Sequence, residues 1–407
     1  MVVSRPMAIA GPPRYFAGLS RNTFLLALSS LFADISTEML YPILPIFLTQ
    51  TLHASGSVVG LVEGIAGATQ NIIQGFAGSL SDKLRRPKLL ALAGYLLAAL
   101  GKPLMGVATV WQGVLGGRIL DRLGTGTRSA PRDALIASSV DTANRGRAFG
   151  LEGAGDNAGA FLGPLLAILL FIHWHLGIRL LFYFAVIPGL LAFMMIAFVH
   201  ERPVNIAAKA EIDVGLKHFP KPYWKYLLAT GLFAIGNSSN AFLILQTKDL
   251  GASLIMTILI YAAFNLAAAL ISYPAGFLSD RLGRRNILVL ALAIFLVTYL
   301  GFAGTRNIAL IGTLFIFYGL YQGIFRSVGK ALASDYAPDT LRASAIGWYN
   351  AVVGLCGLVA SLVAGSLWDH VGHAAVFLFG AAFAMIGGIA LLTLVPGTAK
   401  SDARANG

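Results

Sequence analysis

Apolar residues fill this chain in stretches of about 20, and short polar segments separate one stretch from the next. A helix of about 20 apolar residues crosses the roughly 30 Å hydrocarbon layer of a bilayer with its backbone hydrogen bonds satisfied internally. The pattern therefore predicts an all-α polytopic membrane protein. Its twelve predicted helices, spans 1 to 12, cover 24–48, 57–80, 89–107, 111–135, 148–171, 178–199, 224–246, 254–278, 287–304, 308–332, 343–367 and 374–395.

The polar segments between the spans repeat along the chain. A Gly-x-x-x-Asp segment that ends at Asp82, after span 2, recurs 198 positions later and ends at Asp280, after span 8. Arg128 in span 4 and Arg326 in span 10 have the same offset. The repeat predicts two pseudo-symmetric six-helix bundles with a site between them. The predicted domains are an amino-terminal tail 1–23, a first bundle 24–199, a linker 200–223, a second bundle 224–395 and a carboxy-terminal tail 396–407.

Composition and charge agree with a membrane protein. The chain is 57% apolar and 12% charged, whereas soluble domains are about 25% charged. If the amino terminus is cytoplasmic, 20 of the 30 Lys and Arg residues fall on the cytoplasmic side and three on the opposite side. This asymmetry predicts that both termini of this multi-pass protein are cytoplasmic, and the short loops favour a bacterial inner membrane. It also accounts for the net charge of +12 without a nucleic-acid partner.

Residues for metal binding or enzymatic chemistry form no recognisable constellation. Cys356 is the single cysteine, which excludes an intramolecular disulfide, and the seven histidines lie in loops or at span ends. No H-E-x-x-H, phosphate-binding loop or nucleophile elbow occurs, so we expect no enzyme, no metal and no cofactor. We expect a gradient of protons to drive any movement of solute across the membrane. The expected partners are a small-molecule substrate and the lipid bilayer, and the expected state is a monomer.

The repeated polar segment resembles a family signature. The residues from Gly276 to Arg285 match the pattern G-x-x-x-D-[RK]-x-G-[RK]-[RK] of the major facilitator superfamily, and the resemblance covers nearly the whole chain. The first copy departs from the pattern at Arg85 and Pro87. In span 4, the stretch Gly117–Gly126 resembles the family's R-x-x-Q-G-x-G-x-G segment, with Asp121 in place of the glutamine. The resemblance implies a twelve-helix bacterial transporter.

A glycine and proline motif in span 5 resembles that of one subgroup of the family. Its members match the G-x8-G-x3-G-P spacing of proton-coupled antiporters and efflux proteins in that family; they are Gly150, Gly159, Gly163 and Pro164. The terminal glycine pair of that motif is replaced here by Ala167 and Ile168. The motif predicts a tightly packed gate, and the alternative is helix packing with a proline kink and no gating role.

The repeated loops predict a conformational latch between the halves. Its expected members are Gly78, Asp82, Arg86, Gly276, Asp280 and Arg284. The acids stand at helix ends, where they pair with arginines or with the positive end of a neighbouring helix. The alternative is a solvated turn, which does not by itself require the same spacing twice.

Charged residues inside the spans suggest proton coupling. A charge at the bilayer centre costs ~2.5–3.5 kcal/mol on insertion scales, so each one should face protein or water. Asp34, Glu38 and Tyr41 lie on one face of span 1, at positions i, i+4 and i+7. Asp34, Glu38 and Asp156 are the predicted proton carriers. The alternative is that these acids form structural ion pairs with arginines of span 4.

The family resemblance implies that helices 1, 4, 7 and 10 line a central cavity. The candidate cavity residues are Tyr41, Arg118, Arg122, Arg128, Asn237, Asn240, Arg326 and Lys330. The symmetry-related pair of Arg128 and Arg326 suits an anionic or zwitterionic substrate.

Together these features predict a secondary active transporter that works by alternating access. We expect proton-coupled antiport that exports a small organic compound. One alternative is proton-driven or facilitative uptake of an organic anion. Another, of a different class, is a non-transporting membrane sensor or scaffold with the same fold.

Overall fold

The fold is known from a computed structural model, which describes residues 20–84, 86–140, 145–175, 177–201, 219–337 and 342–396. Side chains at positions 78, 79, 82–84, 145, 146, 342 and 343 are not described. The described residues form helices joined by short connections, with no β-sheet. The all-α class that the apolar pattern predicts is confirmed.

The helices coincide with the twelve predicted spans, with ends that shift by a few residues. Their bounds are Arg21–Glu38, Leu44–Ile46 and the π-helical turn Phe47–Thr51 (span 1), Gly56–Leu84 (2), Pro87–Val107 (3), Trp111–Ser138 (4), Arg145–His173 (5), Ile178–Phe184 and Val186–Ala197 (6), Lys221–Gly236 and Ala241–Asp249 (7), Leu254–Leu282 (8), Arg284–Gly304 (9), Ile308–Asp335 (10), Arg342–His370 (11) and His373–Leu394 (12). Nine of the helices in the described part are long and apolar enough to cross a membrane. Spans 1, 2 and 4, which are not among the nine, contain most of the polar residues discussed below.

Two of the breaks inside spans have clear local causes. The first helix of span 1 ends at Glu38, where the ring of Pro42 would meet the carbonyl of the residue four positions earlier. Span 7 stops at Gly236 and resumes at Ala241. The four residues between them, 237–240, all have polar side chains, which compete with the backbone for hydrogen bonds. Both breaks lie beside the boundary between the two halves.

The two halves use the same helix pairings. Span 4 packs on spans 2 and 3, and span 10 correspondingly packs on spans 8 and 9. A β-carbon at Gly126 would lie 2.8 Å from the Gln70 carbonyl oxygen, and one at Gly323 would overlap that of Ala268. Gly126 and Gly323 are 197 positions apart, and Gln70 and Ala268 are 198 apart. The repeat in the sequence therefore corresponds to a repeat of helix contacts, between spans 2 and 4 and between spans 8 and 10.

The interiors of the halves differ in chemistry. In the carboxy-terminal half, rings pack closely around Phe295, which stacks on Tyr299 at 3.9 Å and meets Tyr321 edge-on at 4.9 Å. In the amino-terminal half, spans 3 and 4 approach through glycines, and a β-carbon at Gly101 would lie 2.6 Å from the Gly117 carbonyl oxygen. Close approach of helices 3 and 4 brings the charged side chains of that half together.

Spans 2 and 11 form the main contact between the halves, and spans 5 and 8 form a second. We call the membrane face that holds Ser20 and Pro396 the terminal face, and the opposite one the distal face. A β-carbon at Gly64 of span 2 would lie 2.9 Å from the Leu358 side chain of span 11. At Gly75, nearer the terminal face, the nearest described atom is 3.9 Å away. The halves therefore pack most tightly toward the distal face.

Candidate substrate cavity and charge network

A buried charge network links spans 2, 3 and 4 of the amino-terminal half. Arg118 donates two hydrogen bonds to Glu63, from Nε to Oε1 at 2.9 Å and from Nη2 to Oε2 at 3.1 Å. Lys102 Nζ lies 3.1 Å from Asp121 Oδ1, and Arg118 Nη1 lies 3.4 Å from Oδ2 of the same carboxylate. All four residues are at most 9% exposed. Their two positive and two negative charges are therefore neutralised by one another and not by surrounding water.

Glu63 and Lys102 were not among the predicted site residues. Each is the only charged residue in its predicted apolar stretch, 57–80 or 89–107. That isolation was the available signal, because a lone charge inside a span needs a partner on another helix. Arg122 completes this network with Nη1 donating to Gln70 Oε1 at 2.8 Å. The structure thus places Arg118 and Arg122 in a largely internal network, although both were predicted as cavity residues.

A second charge cluster joins spans 1, 4 and 5. Arg132 Nη2 lies 2.6 Å from Glu152 Oε1, and Arg132 Nη1 lies 3.6 Å from Asp156 Oδ1. Ser30 Oγ accepts from Arg132 at 2.8 Å and donates to Glu152 at 3.1 Å. Asp156 is thus held beside an arginine, which is the arrangement that the structural alternative predicted for it.

Asp34 and Arg128 form the loosest pair of this cluster. Arg128 Nη2 is 3.9 Å from Asp34 Oδ1, and the guanidinium lies over the Tyr95 ring at 4.5 Å. Arg128 is 5% exposed, whereas Arg326, its counterpart in the repeat, is exposed. The two arginines therefore occupy different environments, and the geometry does not support a symmetrical pair that faces one substrate.

Glu38 lies at the boundary between the halves. Its Oε2 accepts a hydrogen bond from Tyr261 Oη at 2.8 Å and a longer one from Asn265 Nδ2 at 3.4 Å, both from span 8. Tyr41 stacks on Tyr261 with the ring centroids 5.4 Å apart, and Arg118 lies 5.5 Å from the centre of the Tyr41 ring. Among the described residues, no Lys, Arg or His pairs with this carboxylate.

Polar residues of spans 7 and 10 form the facing wall. Tyr318 Oη donates to Asn240 Oδ1 at 2.7 Å, and Asn240 Nδ2 donates to Gln322 Oε1 at 3.3 Å. Asn237 follows the last residue of the first span 7 helix. The exposed side chains of Arg326 and Lys330 lie on the same span as Tyr318, toward the terminal face. Span 10 therefore presents polar groups from the membrane interior to its terminal end.

Two glycines of the span 5 motif pack against the backbone of span 1. A β-carbon at Gly159 would lie 2.6 Å from the Leu31 carbonyl oxygen, and one at Gly163 would lie 2.8 Å from that of Ile35. Gly150 has no described atom within 4 Å of that position, and Pro164 lies inside the helix. Gly159 and Gly163 thus bring span 5 close to the helix that carries Asp34 and Glu38.

The predicted latch is only partly described. In the second copy, Arg284 Nη1 lies 2.7 Å from Asp335 Oδ1 and Nη2 lies 3.3 Å from Asp280 Oδ1, all within one half. Gly276 has open space around it among the described residues. Arg86 is an exposed residue just before span 3. The side chains of Gly78 and Asp82 lie outside the described residues.

An unpredicted contact joins the two halves at the distal face. Asp369, near the end of span 11, accepts hydrogen bonds from the Gly56 and Ser57 backbone N–H groups at the start of span 2, both at 2.8 Å. A carboxylate at a helix amino terminus satisfies free N–H groups and opposes the positive end of the helix dipole. We call this contact the distal clamp.

Comparisons with known proteins agree with this architecture. A family model described as Major Facilitator Superfamily matches residues 26–245 and 226–407. An uncharacterized MFS-type transporter of Methanocaldococcus jannaschii is 35% identical over 92% of this chain and 95% of that protein. The multidrug resistance protein MdtG of Klebsiella pneumoniae is 27% identical over 84% of this chain and 85% of that protein. A crystal structure of the nucleoside transporter NupG is similar in fold, with a TM-score of 0.75, 15% identity and coverage of 92% of this chain and 98% of that one.

Proposed function

We propose that this chain, which belongs to the Major Facilitator Superfamily and is a multi-pass membrane transporter rather than an enzyme, exports a small organic compound in exchange for protons. In this proposal the two halves rock about a central site, and the distal clamp and the contact between spans 2 and 11 close the distal side. The terminal face is cytoplasmic, as the distribution of Lys and Arg predicts. Similarity to a multidrug resistance protein supports export.

The observation that carries the proposal is the position of Glu38 between the halves. Its two hydrogen-bond donors, Tyr261 and Asn265, both belong to the other half. A carboxylate accepts such bonds more strongly when it is charged than when it is protonated. Proton binding at Glu38 therefore weakens one contact between the halves, and a group with that property couples proton binding to a change of conformation.

Asp34 and Asp156 are secondary candidates for the same role. Asp156 shares Arg132 with Glu152, and Asp34 lies 3.9 Å from Arg128. Both of these contacts lie within the amino-terminal half, whereas the two donors to Glu38 come from the other half. We therefore assign proton coupling to Glu38 and a structural role to the acids beside Arg132.

The test uses purified protein in liposomes that contain a pH-sensitive dye, with benzylamine, benzyl alcohol and benzoate as probe compounds. We expect proton movement that depends on one of these probes in the wild type. Glu38→Gln should abolish that movement while exchange of labelled probe across the membrane continues. The matched control is Glu201→Gln, which neutralises an exposed acid that contacts the backbone of Lys88 and should leave proton movement unchanged. Wild-type proton coupling in Glu38→Gln would contradict the proposal.

A further inference from the structure

Span 10 carries a row of polar side chains at helical spacing. Tyr318, Gln322, Arg326 and Lys330 follow one another at intervals of four residues, which places neighbours one turn apart on the helix surface. The first two are held by Asn240 of span 7. The last two are exposed. The row therefore begins in a satisfied hydrogen-bond network and ends in two accessible cations.

These two cations differ from the basic residues deep inside spans 3 and 4 of the other half. Each of those five residues has a carboxylate within 3.9 Å; they are Lys102, Arg118, Arg122, Arg128 and Arg132. Among the described residues, neither Arg326 nor Lys330 has an ion-pair or hydrogen-bond partner. A charge inside a membrane span must meet either water or a partner, so two exposed cations without partners call for an explanation.

Two acids of the amino-terminal half lie within electrostatic range of the two cations, Glu38 of span 1 for Arg326 and Asp133 of span 4 for Lys330. These acids have their own partners, since Glu38 is held by Tyr261 and Asp133 lies 3.3 Å from Arg132. The acids across the boundary therefore do not neutralise the two cations by direct contact.

The two cations also repel each other. Like charges at positions i and i+4 of a helix repel each other and destabilise it. An anion seated between them removes that repulsion and supplies the missing partner to both. Arginine offers a planar pair of donors that matches the two oxygens of a carboxylate or phosphate, and lysine adds a compact charge.

We propose that Arg326 and Lys330 form the binding site for an acidic group of the transported compound, so that the substrate is an organic anion. The neighbouring Gln322 and Asn240 lie one turn farther into the membrane, where they are placed to contact the uncharged part of the same compound. This inference rests on the proposed transport function and names its substrate class, and it holds for either direction of transport.

The test measures binding without transport. Purified protein is titrated with benzoate, phenylphosphonate, benzamide and benzylamine, and binding is followed by thermal unfolding. We expect the two acids to stabilise the wild type in a saturable manner and the amide and amine to have no such effect. Arg326→Gln and Lys330→Gln should each weaken acid binding by about tenfold or more, the loss expected for one charged hydrogen-bond partner.

Arg306→Gln is the matched control, because it removes an exposed cation of the same half at the distal face and should leave acid binding unchanged. If Arg326→Gln does not fold, Arg326→Lys keeps the charge and should retain part of the binding. Equal binding of acids and amide, or wild-type binding in both glutamine variants, would overturn the inference. Probe-dependent proton movement without acid binding would overturn this inference alone. Acid binding without proton movement would overturn the proposed proton coupling alone.

Discussion

Removing the distal clamp should shift the protein toward conformations that are open at the distal face. The Asp369 carboxylate accepts two backbone hydrogen bonds from span 2 across the boundary between the halves. A helix cap contributes about 0.5–2 kcal/mol, and the exposed position of Asp369 places this one toward the lower part of that range. The stabilisation exists only while the distal face is closed, because in the open state the same N–H groups form hydrogen bonds to water instead.

We take about 1 kcal/mol for the loss in Asp369→Ala, which corresponds to a roughly fivefold rise in the ratio of open to closed molecules. Asp369→Asn keeps one acceptor oxygen and loses the charge, so its effect should be smaller. The matched control is Asp249→Ala, because Asp249 lies 3.5 Å from His373 within one half and does not bridge the halves.

The assay measures how fast a buried position becomes reachable. In a Cys356→Ala background, Ser361→Cys places a thiol where Ser361 is 3% exposed and packed against Gly60 of span 2. Maleimide labelling of purified protein should be roughly fivefold faster with Asp369→Ala than without it. An unchanged labelling rate, or an equal increase with Asp249→Ala, would refute the reasoning.

Three further substitutions test other parts of the structure. Tyr261→Phe removes the shorter hydrogen bond to Glu38 and should move the pH dependence of transport toward higher pH, because the charged carboxylate loses a donor; an unchanged profile would contradict this. Gly159→Ala should reduce transport at least tenfold, since its β-carbon would lie 2.6 Å from a span 1 carbonyl oxygen, whereas Gly153→Ala meets nothing within 4 Å and should be tolerated. Glu63→Gln should lower the stability by about 3–5 kcal/mol, seen as a lower thermal midpoint, because it breaks a buried ion pair.

The helices and the repeat were predictable because their causes are local. A membrane helix needs a continuous apolar stretch, and the stretch around 287–304 shows this without reference to any other part of the chain. The break after Glu38 follows likewise from Pro42. The repeated Gly-x-x-x-Asp segments and the glycines of span 5 depend on spacing within a few residues, so the family resemblance was accessible from the same information.

The contacts of the candidate site depend on positions that are far apart in the chain. Glu63 and Arg118 are separated by 55 residues, and Glu38 and Tyr261 by 223. Asp369 meets Gly56 across 313 residues. No local pattern indicates that these particular groups meet, because the pairing is set by how the helices pack.

The sequence by itself therefore determined the class of protein, the number of predicted spans, the repeat and the set of residues with charges inside the membrane. Only the tertiary structure decided which of those charges neutralise one another. Arg128 and Arg326 are equivalent in the sequence, yet the first lies buried over Tyr95 and the second is exposed without a partner among the described residues. The difference arises because a buried charge must be compensated by whichever helix lies beside it, and that neighbour is a property of the folded bundle.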